Sequence, residues 1–565
     1  MSLARRLADS VVAAVEQDKK LLLKLDLKLI PWLCLLYLMA FLDRTNIGNA
    51  RLDGLQQSLH ITSSQYNSSL TIFFISYSIF EPATNIALKR LRPSVFIPAI
   101  MVVWGIVMTT MGLTHDFGGL MAARWFLGLA EAGLFPGISY YLSCWYKRSE
   151  FGIRMAIFFS AAAVSGSFGG LLATAIGLMR GVGGKGGWAW IFILEGLVTV
   201  IIGIASFWMV HDFPDEATFL SDVDRARVIR RLKVDQQSSA EHEAFKLAYF
   251  WAAVKDWKTW LSAIIYMGAD GPLYAFSLFL PTIIHDLGYT ATRAQLLSVP
   301  PYAAAAILTV TVGYVADRTR QRGLCNILIS LLGIVGFSML LGAKSAGVRY
   351  AGTFLGALGI YPCIANTISW ASNNTEGVYK RGVALGIIIG WGNLNGIVSS
   401  NIYRAQDSPR YAPGHGTVLG YLVFALFGGS VLQHLLLRRE NAKRLAGKRD
   451  HWVVGKSEKE IESMGDTRSV PLFLPCGSRR LTRVQAGLHL YIVGARCVGH
   501  LAPCWNILKS GRPPIDTDPR PISSMYCSKS YYVLYINRAY LRTKWPVTLP
   551  SSVSSYFVNR SYIIL

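Results

Sequence analysis

Apolar residues along the chain gather into runs of roughly 18–25 positions, the length a helix needs to cross a bilayer. The runs fall near 29–50, 68–87, 96–113, 118–144, 152–178 and 188–210. A polar stretch at 211–258 follows, and further runs fall near 259–283, 295–315, 324–342, 348–371, 379–401 and 417–437. Six spans, a charged connector and six more predict an all-α, polytopic membrane protein of about 12 transmembrane helices. The expected domains are a tail at 1–28, a six-helix half at 29–210, the connector at 211–258, a second six-helix half at 259–437 and a tail at 438–468. Two similar halves suit a machine in which one half rocks against the other about a central site.

Composition agrees with that pattern. Of 565 residues, 52% are hydrophobic and 16% charged, against about 25% charged in an ordinary soluble protein. The net charge of +23 raises the question of nucleic acid. Its basic residues, however, lie between the apolar runs and in the tails, with no aromatic-interleaved basic patch, so no nucleic-acid partner is expected. The lysine and arginine bias of the short loops, the basic tail 1–28 and the run Arg438–Arg449 predict both termini on the cytoplasmic side. The eight cysteines are scattered without metal-ligand spacing and are expected to be small core residues. Beyond about residue 468 the character changes. Residues 469–565 hold only two acids, Asp516 and Asp518, and show no periodicity. This atypical extension is either an unusual cytosolic domain or, the preferred expectation, the product of a read-through intron or a shifted frame.

The candidate chemistry lies inside the spans. Arg124 and Glu131 are seven residues apart, hence on one helical face with Gly128 between them. A charge at mid-membrane costs about 2.5–3.5 kcal/mol on insertion scales. It persists when charges pair, face a cavity or handle a charged solute. Three arrangements are open: a structural Arg124–Glu131 pair, separate pairs with neighbouring helices, or an anion site with its own proton carrier. In the first span Asp43, Asn46 and Asn49 share a stripe and Arg44 is offset by one residue. They form either an interfacial cap or a carboxylate-binding Arg44 held by Asp43. Arginine suits a carboxylate because its planar fork donates two parallel hydrogen bonds. Glu81, beside the helix-bending Pro82, serves proton or substrate handling or else helix pairing. Tyr274, Asn366, Trp370 and Asn393 are polar groups suited either to line a cavity or to glue helices together. Asp270, beside Gly271–Pro272, is of the same kind.

Longer motifs sharpen this picture. The loop GYVADRTRQR, with Gly313, Asp317, Arg318 and Arg322, resembles the G-x-x-x-D-R-x-x-R/K-R motif of the major facilitator superfamily. The corresponding first-half loop, ALKRLRPS, keeps the basic residues and lacks the Gly and Asp. The resemblance implies that the Gly lets helices approach while Asp and Arg form a gating latch. Arg124 and Gly128 fit the superfamily's R-x-x-x-G pattern, within RWFLGLAEAGLFPG. That string, KLDLKLIPWLCLLYLMAFLDRTNIGNAR, FISYSIFEPATNIALKR, WYKRSEFGIRMAIFFSAAAVSGSFGGLL and HDFPDEATFL together resemble the fungal anion:cation symporters, the allantoate and nicotinate permease group, from about residue 20 to 465. The resemblance implies a multi-pass plasma-membrane proton symporter for small carboxylates, not an enzyme. It would use no cofactor or metal and act as a monomer in the lipid bilayer, with a small-molecule anion and protons as partners. In the related sialin-type carriers, arginines at the positions of Arg44 and Arg124 meet the anion and an acid at the position of Glu131 couples the proton. Their second acid is replaced here by Leu127. The candidate substrate-binding set joins Arg44 and Arg124, which the resemblance implies, to Tyr274, Asn366, Trp370 and Asn393, read from their polarity within spans; the candidate proton-coupling set joins Glu131, which the resemblance implies, to Glu81 and Asp43. A passive facilitator and a nutrient-sensing transceptor are the alternatives on the same fold. Sequencing the transcript across the codons for Gly465–Leu472 is expected to reveal the splice or frame defect. A continuous spliced message encoding the whole extension would overturn that expectation.

Overall fold

The computed structural model describes residues 3–234, 247–375, 378–446 and 448. The expected extension at 469–565, the end of the basic run before it and part of the 211–258 connector lie outside the described residues. The chain divides into two compact units, Leu25–Pro475 and a second formed by Met1–Lys24 with Cys476–Leu565. Of the second unit, only the beginning of the first helix is described.

No strand occurs among the described residues. In chain order the helices are α1 (Leu3–Leu52), the single turn α2 (Leu55–Ser58), α3 (Ser63–Arg90), α4 (Pro93–Met111), α5 (Phe117–Glu131), α6 (Leu134–Ser143), α7 (Arg148–Gly177) and α8 (Gly187–Met209). The connector contributes α9 (Asp222–Val234) and α10 (Leu247–Val254). Then come α11 (Trp257–His285), α12 (Ala291–Thr319), α13 (Arg322–Gly342), α14 (Ala346–Asn373) and α15 (Val378–Ser399). The last pass runs from α16 (Ala412–Gly420) through a π-helical stretch, Tyr421–Gly428, into α17 (Gly429–Leu445).

Ten helical stretches among the described residues are long and apolar enough to cross a membrane. The two further passes expected from the sequence are α3, and α5 with α6. α3 is 28 residues long, but its first turns are rich in Ser, Gln and Asn and it carries Glu81. α5 and α6 are separated at Ala132–Gly133. Pro136 explains the separation, since it has no N–H for the Ala132 carbonyl and its ring crowds that oxygen. The result is the all-α, two-half architecture expected from the span pattern.

Helix starts follow local chemistry. Thr62 and Gln65 form a reciprocal capping box at α3. Asp116, Asp256 and Thr290 cap α5, α11 and α12 through their side-chain oxygens. In lipid, burying apolar surface between helices gains little, so close backbone approach and polar contacts must hold the passes together. α3 packs along α5 at Gly128, where a Cβ would collide with Ser76 and the Phe73 carbonyl. Between the halves, α7 lies along α12 and α14, and α3 along α15. α1 reaches α11 so closely that a Cβ on Gly48 would lie 2.7 Å from the Leu278 carbonyl oxygen.

At the end of the bundle carrying the basic loops, α12 is tied to α7. Asp317 accepts a 2.6 Å hydrogen bond from the Ile153 backbone N–H and pairs with Arg322. Gly313 faces Ala156, where a side chain would not fit. Arg318 turns outward to the Tyr314 hydroxyl at 2.8 Å. The start of α7 is held again by Arg231 of α9, which pairs with Glu150 at 2.6 Å. Overpacking a tight contact costs about 1–3 kcal/mol. Gly128→Val is therefore expected to lower the thermal midpoint of the purified protein. Gly118→Ala, whose Cβ would meet only Asp116 Oδ1 at 3.8 Å, leaves the midpoint unchanged. Equal midpoints for Gly128→Val and the parent would contradict the packing.

Candidate functional site

The centre of the bundle holds a chain of hydrogen bonds built from five helices. Arg44 (α1) donates from Nε and Nη2 to Oε2 of Glu131 (α5), at 3.2 and 2.7 Å. Its third nitrogen, Nη1, donates to the hydroxyl of Tyr274 (α11) at 2.7 Å. That hydroxyl donates in turn to Oδ1 of Asn393 (α15) at 2.7 Å. Asn393 Nδ2 then donates to Oε2 of Glu81 (α3) at 2.9 Å. Every donor and acceptor role in the series is consistent with the next, which fixes the amide orientation of Asn393. The path starts and ends on carboxylates of the first half and passes through the second half between them.

Aromatic rings wall this path. The Arg44 guanidinium lies over Phe73, Tyr77 and Tyr274 at 5.2, 5.0 and 5.5 Å from their centroids. A guanidinium in that position gains from the ring quadrupoles, most strongly when water is excluded. Glu131 is 0% exposed and Arg44 is 5% exposed, so little solvent screens their attraction.

Arg124 lies where its spacing places it, with a partner the spacing could not choose. It shares the α5 face with Glu131, but the carboxylate gives its ion pair to Arg44. The Arg124 guanidinium lies 5.3 Å from the Phe73 centroid, on a side chain only 1% exposed. Among the described residues its Nε and Nη1 have no hydrogen-bond partner, and neither has Glu131 Oε1. Arg124 still feels the charges of Glu131 and Arg44. Two arginines and one ion-paired carboxylate thus leave this corner with one uncompensated cation, in a place where burying one is costly.

Asp43 does not hold Arg44. Neighbouring helical residues point about 100° apart, and Asp43 faces the opposite seam. There its Oδ2 accepts from Trp104 Nε1 of α4 at 2.9 Å and from Thr199 Oγ1 of α8 at 3.1 Å. Asp270 lies one turn before Tyr274 on α11. A Cβ on Gly392 would be 3.0 Å from its Oδ2, which places it beside α15 within the electrostatic reach of Arg44.

Asn366 and Trp370 stand apart from this cluster. Asn366 Nδ2 donates to the Arg322 carbonyl and to Asn326 Oδ1, at 2.8 and 2.7 Å, and its Oδ1 accepts from Arg322 Nη1 at 3.3 Å. Trp370 packs against Gly323 and lines a small cavity with Arg148, Asp317 and Arg322. Both belong to the cluster around Asp317 and Arg322 at the basic end. Glu195, midway along α8, is a further buried acid. Its position in the apolar run WAWIFILEGLVTV is the same signal that singles out Glu131.

The arrangement thus gathers two buried carboxyls, Glu131 and Glu81, and two buried guanidinium groups, one ion-paired and one with Nε and Nη1 unpartnered among the described residues. The Major Facilitator Superfamily description matches residues 33–400. The chain is 36% identical over 438 residues to the MFS-type transporter cnsO of Penicillium expansum, covering 75% of this chain and 85% of that one. It is 34% identical over 430 residues to the high-affinity nicotinic acid transporter of Saccharomyces cerevisiae, covering 76% and 80%. Among solved structures, it is similar to a bacterial homolog of the human lysosomal transporter Spinster in an inward-facing, unoccupied conformation. That match has a TM-score of 0.52 and 14% identity, over 71% of this chain and 95% of the other, a likeness of fold alone. With the span pattern, the latch motif and the buried charges, these similarities identify the chain as a membrane transporter belonging to the major facilitator superfamily.

Proposed function

We propose that the protein is a proton-coupled importer of a small organic anion, a carboxylate of the nicotinate or allantoate kind, in the plasma membrane. It belongs in this reading to the fungal anion:cation symporter branch. It works as a monomer with both ends and the basic latch on the cytoplasmic side. The observation that carries the proposal is Arg124: a buried guanidinium with donors the protein does not use, next to an arginine already paired with a carboxylate. The similarity to a nicotinic acid transporter favours the same class of solute.

The charges suggest an order of events. A carboxylate arriving at Arg124 supplies the missing negative charge. Protonation of Glu131 removes its hold on Arg44, whose Nε and Nη2 then serve the substrate. Charge-assisted hydrogen bonds are worth about 1.5–3 kcal/mol each, so exchanging one carboxylate for another at Arg44 is nearly balanced, and the proton decides the direction. Tyr274 and Asn393 carry the change to Glu81 and join the two halves. Asp43 is a third proton-handling candidate. Asn366 and Trp370 serve the cytoplasmic gate with Gly313, Asp317 and Arg322, because their hydrogen bonds and packing commit them there. One proton with a monovalent anion moves no net charge. A second proton would let the membrane potential drive uptake, at about 2.3 kcal/mol per 100 mV.

Expressed in a permease-deficient yeast and offered nicotinate, allantoate, ureidosuccinate, pantothenate and biotin, the protein is expected to restore uptake of at least one of these anions. Arg124→Ala abolishes that uptake with surface expression near normal, and robust transport by this variant would refute the anion-clamp role. Glu131→Gln loses accumulation against a gradient more than it loses anion exchange. An unaltered pH dependence of uptake in that variant counts against the coupling role. Tyr274→Phe keeps the ring over Arg44 and removes only the hydroxyl between Arg44 and Asn393. A loss of about 1–3 kcal/mol is expected, read as a lower thermal midpoint with slower uptake. A variant matching the parent in both would show that the bridge contributes nothing.

A further inference from the structure

A second pair of buried acids lies away from the Arg44 chain, in the seam where α1, α4 and α8 meet. Asp43 is 0% exposed and Glu195 is 4% exposed. Asp43 Oδ2 is held by two donors, the Trp104 indole at 2.9 Å and the Thr199 hydroxyl at 3.1 Å. Thr199 is one helical turn from Glu195, so the face of α8 that reaches Asp43 also carries the Glu195 carboxyl. The charge of Asp43 acts on Glu195. Among the described residues Asp43 Oδ1 and both carboxyl oxygens of Glu195 have no hydrogen-bond partner.

Among the described residues neither acid is ion-paired, and the arginine of α5, Arg124, lies over the Phe73 ring. α4 has no titratable side chain, Glu195 is the only titratable residue of α8, and α7, which packs on α8, has none after Arg154. From α5, Glu131 adds a further negative charge that Asp43 feels. On α1 itself Arg44 is committed to Glu131 and Tyr274. The seam is also tight. A Cβ on Gly196 would lie 2.5 Å from the Thr109 amide nitrogen, and one on Gly105 would lie 2.9 Å from the Val200 amide nitrogen. A hydrated metal ion does not fit such packing; a proton does. Two buried carboxyls on one seam, Glu195 acted on by the charge of Asp43 and neither ion-paired among the described residues, resist being ionised together.

We propose that Asp43 and Glu195 together form a proton-binding site, separate from the anion cluster, in which Glu195 is the previously unassigned proton-holding residue. The proton comes from water, forms an O–H bond with one carboxylate oxygen and returns to water; no other bond changes. Asp43 precedes Arg44 on α1, so the charge of the pair is felt one residue from the anion site. This deepens the transport reading above and rests on it for the meaning of the proton, but its first test needs no substrate.

Difference infrared spectroscopy of the purified, reconstituted full chain after a pH jump reads carboxyl protonation directly. The parent is expected to show a protonated-carboxyl band, sensitive to deuterium exchange, that is lost in Glu195→Gln and in Asp43→Asn. The same band persisting in both variants would overturn the proposal. Thermal melting confirms that each near-isosteric variant is folded. The second test uses nicotinate as the probe: Glu195→Gln is expected to flatten the pH profile of uptake while the KM for nicotinate is unchanged. A changed KM with an unaltered pH profile would make Glu195 a structural residue and overturn the proposal. If nicotinate is not carried by the parent, the infrared result still decides the site; if nicotinate uptake is pH-dependent but the band survives in both variants, the site fails and the transport reading stands.

Discussion

The buried Arg44–Glu131 ion pair is the constraint around which the centre of this protein is arranged. Removing either partner of such a pair costs about 3–5 kcal/mol, because the other is left charged without water. The low exposure of both residues means that surrounding groups must complete their coordination. Tyr274 does so for Arg44, and the rings of Phe73 and Tyr77 cover its faces. Since Tyr274 belongs to the other half of the molecule, completing the arginine's coordination also joins the halves. The Asn393–Glu81 contact crosses back, so the seam is closed at its middle by two polar links rather than by apolar burial, which has little driving force in lipid.

Much of this was legible in the amino-acid pattern, and the parts that were not have identifiable physical causes. Run lengths located the passes because bilayer thickness dictates helix length. α3 and the α5–α6 pair are less apolar or broken, yet they were found as well, because their polar residues fall within otherwise spanning runs. The seven-residue spacing of Arg124 and Glu131 correctly placed both on one face. It could not choose their partners, since a helical face says nothing of which residue a neighbouring helix presents. Arg44 supplied the partner from α1. Adjacent numbering similarly suggested that Asp43 supports Arg44, whereas a step of one residue turns the side chain toward α4 and α8. Asn366 and Trp370 are one turn apart and polar, but nothing local distinguishes the middle of a span from its latch end. Glu195 carried the same mid-span signal as Glu131.

The Asp317 cluster at the basic end and the central chain share a design. In each, a carboxylate of one half accepts a hydrogen bond from a helix of the other, Glu81 from Asn393 and Asp317 from the start of α7. Asp317 takes a backbone N–H of α7 across the halves, and Arg231 from the connector holds the same helix start through Glu150. The connector is thus more than a tether, because one of its helices grips the element that the latch also grips.

The interruption of the fourth pass has a mechanical meaning. Glu131 is the last residue of α5, and Pro136 just beyond it prevents the two segments from forming one continuous rod. A straight helix would resist any swivel at this level with a full ladder of backbone bonds. Here the joint has fewer, and the Arg44–Glu131 contact acts as its set-screw. In the transport reading proposed above, loosening that contact would let α6 tilt against α5 without unwinding either, and a change of charge at one carboxyl would become an angular displacement at the basic end of the bundle.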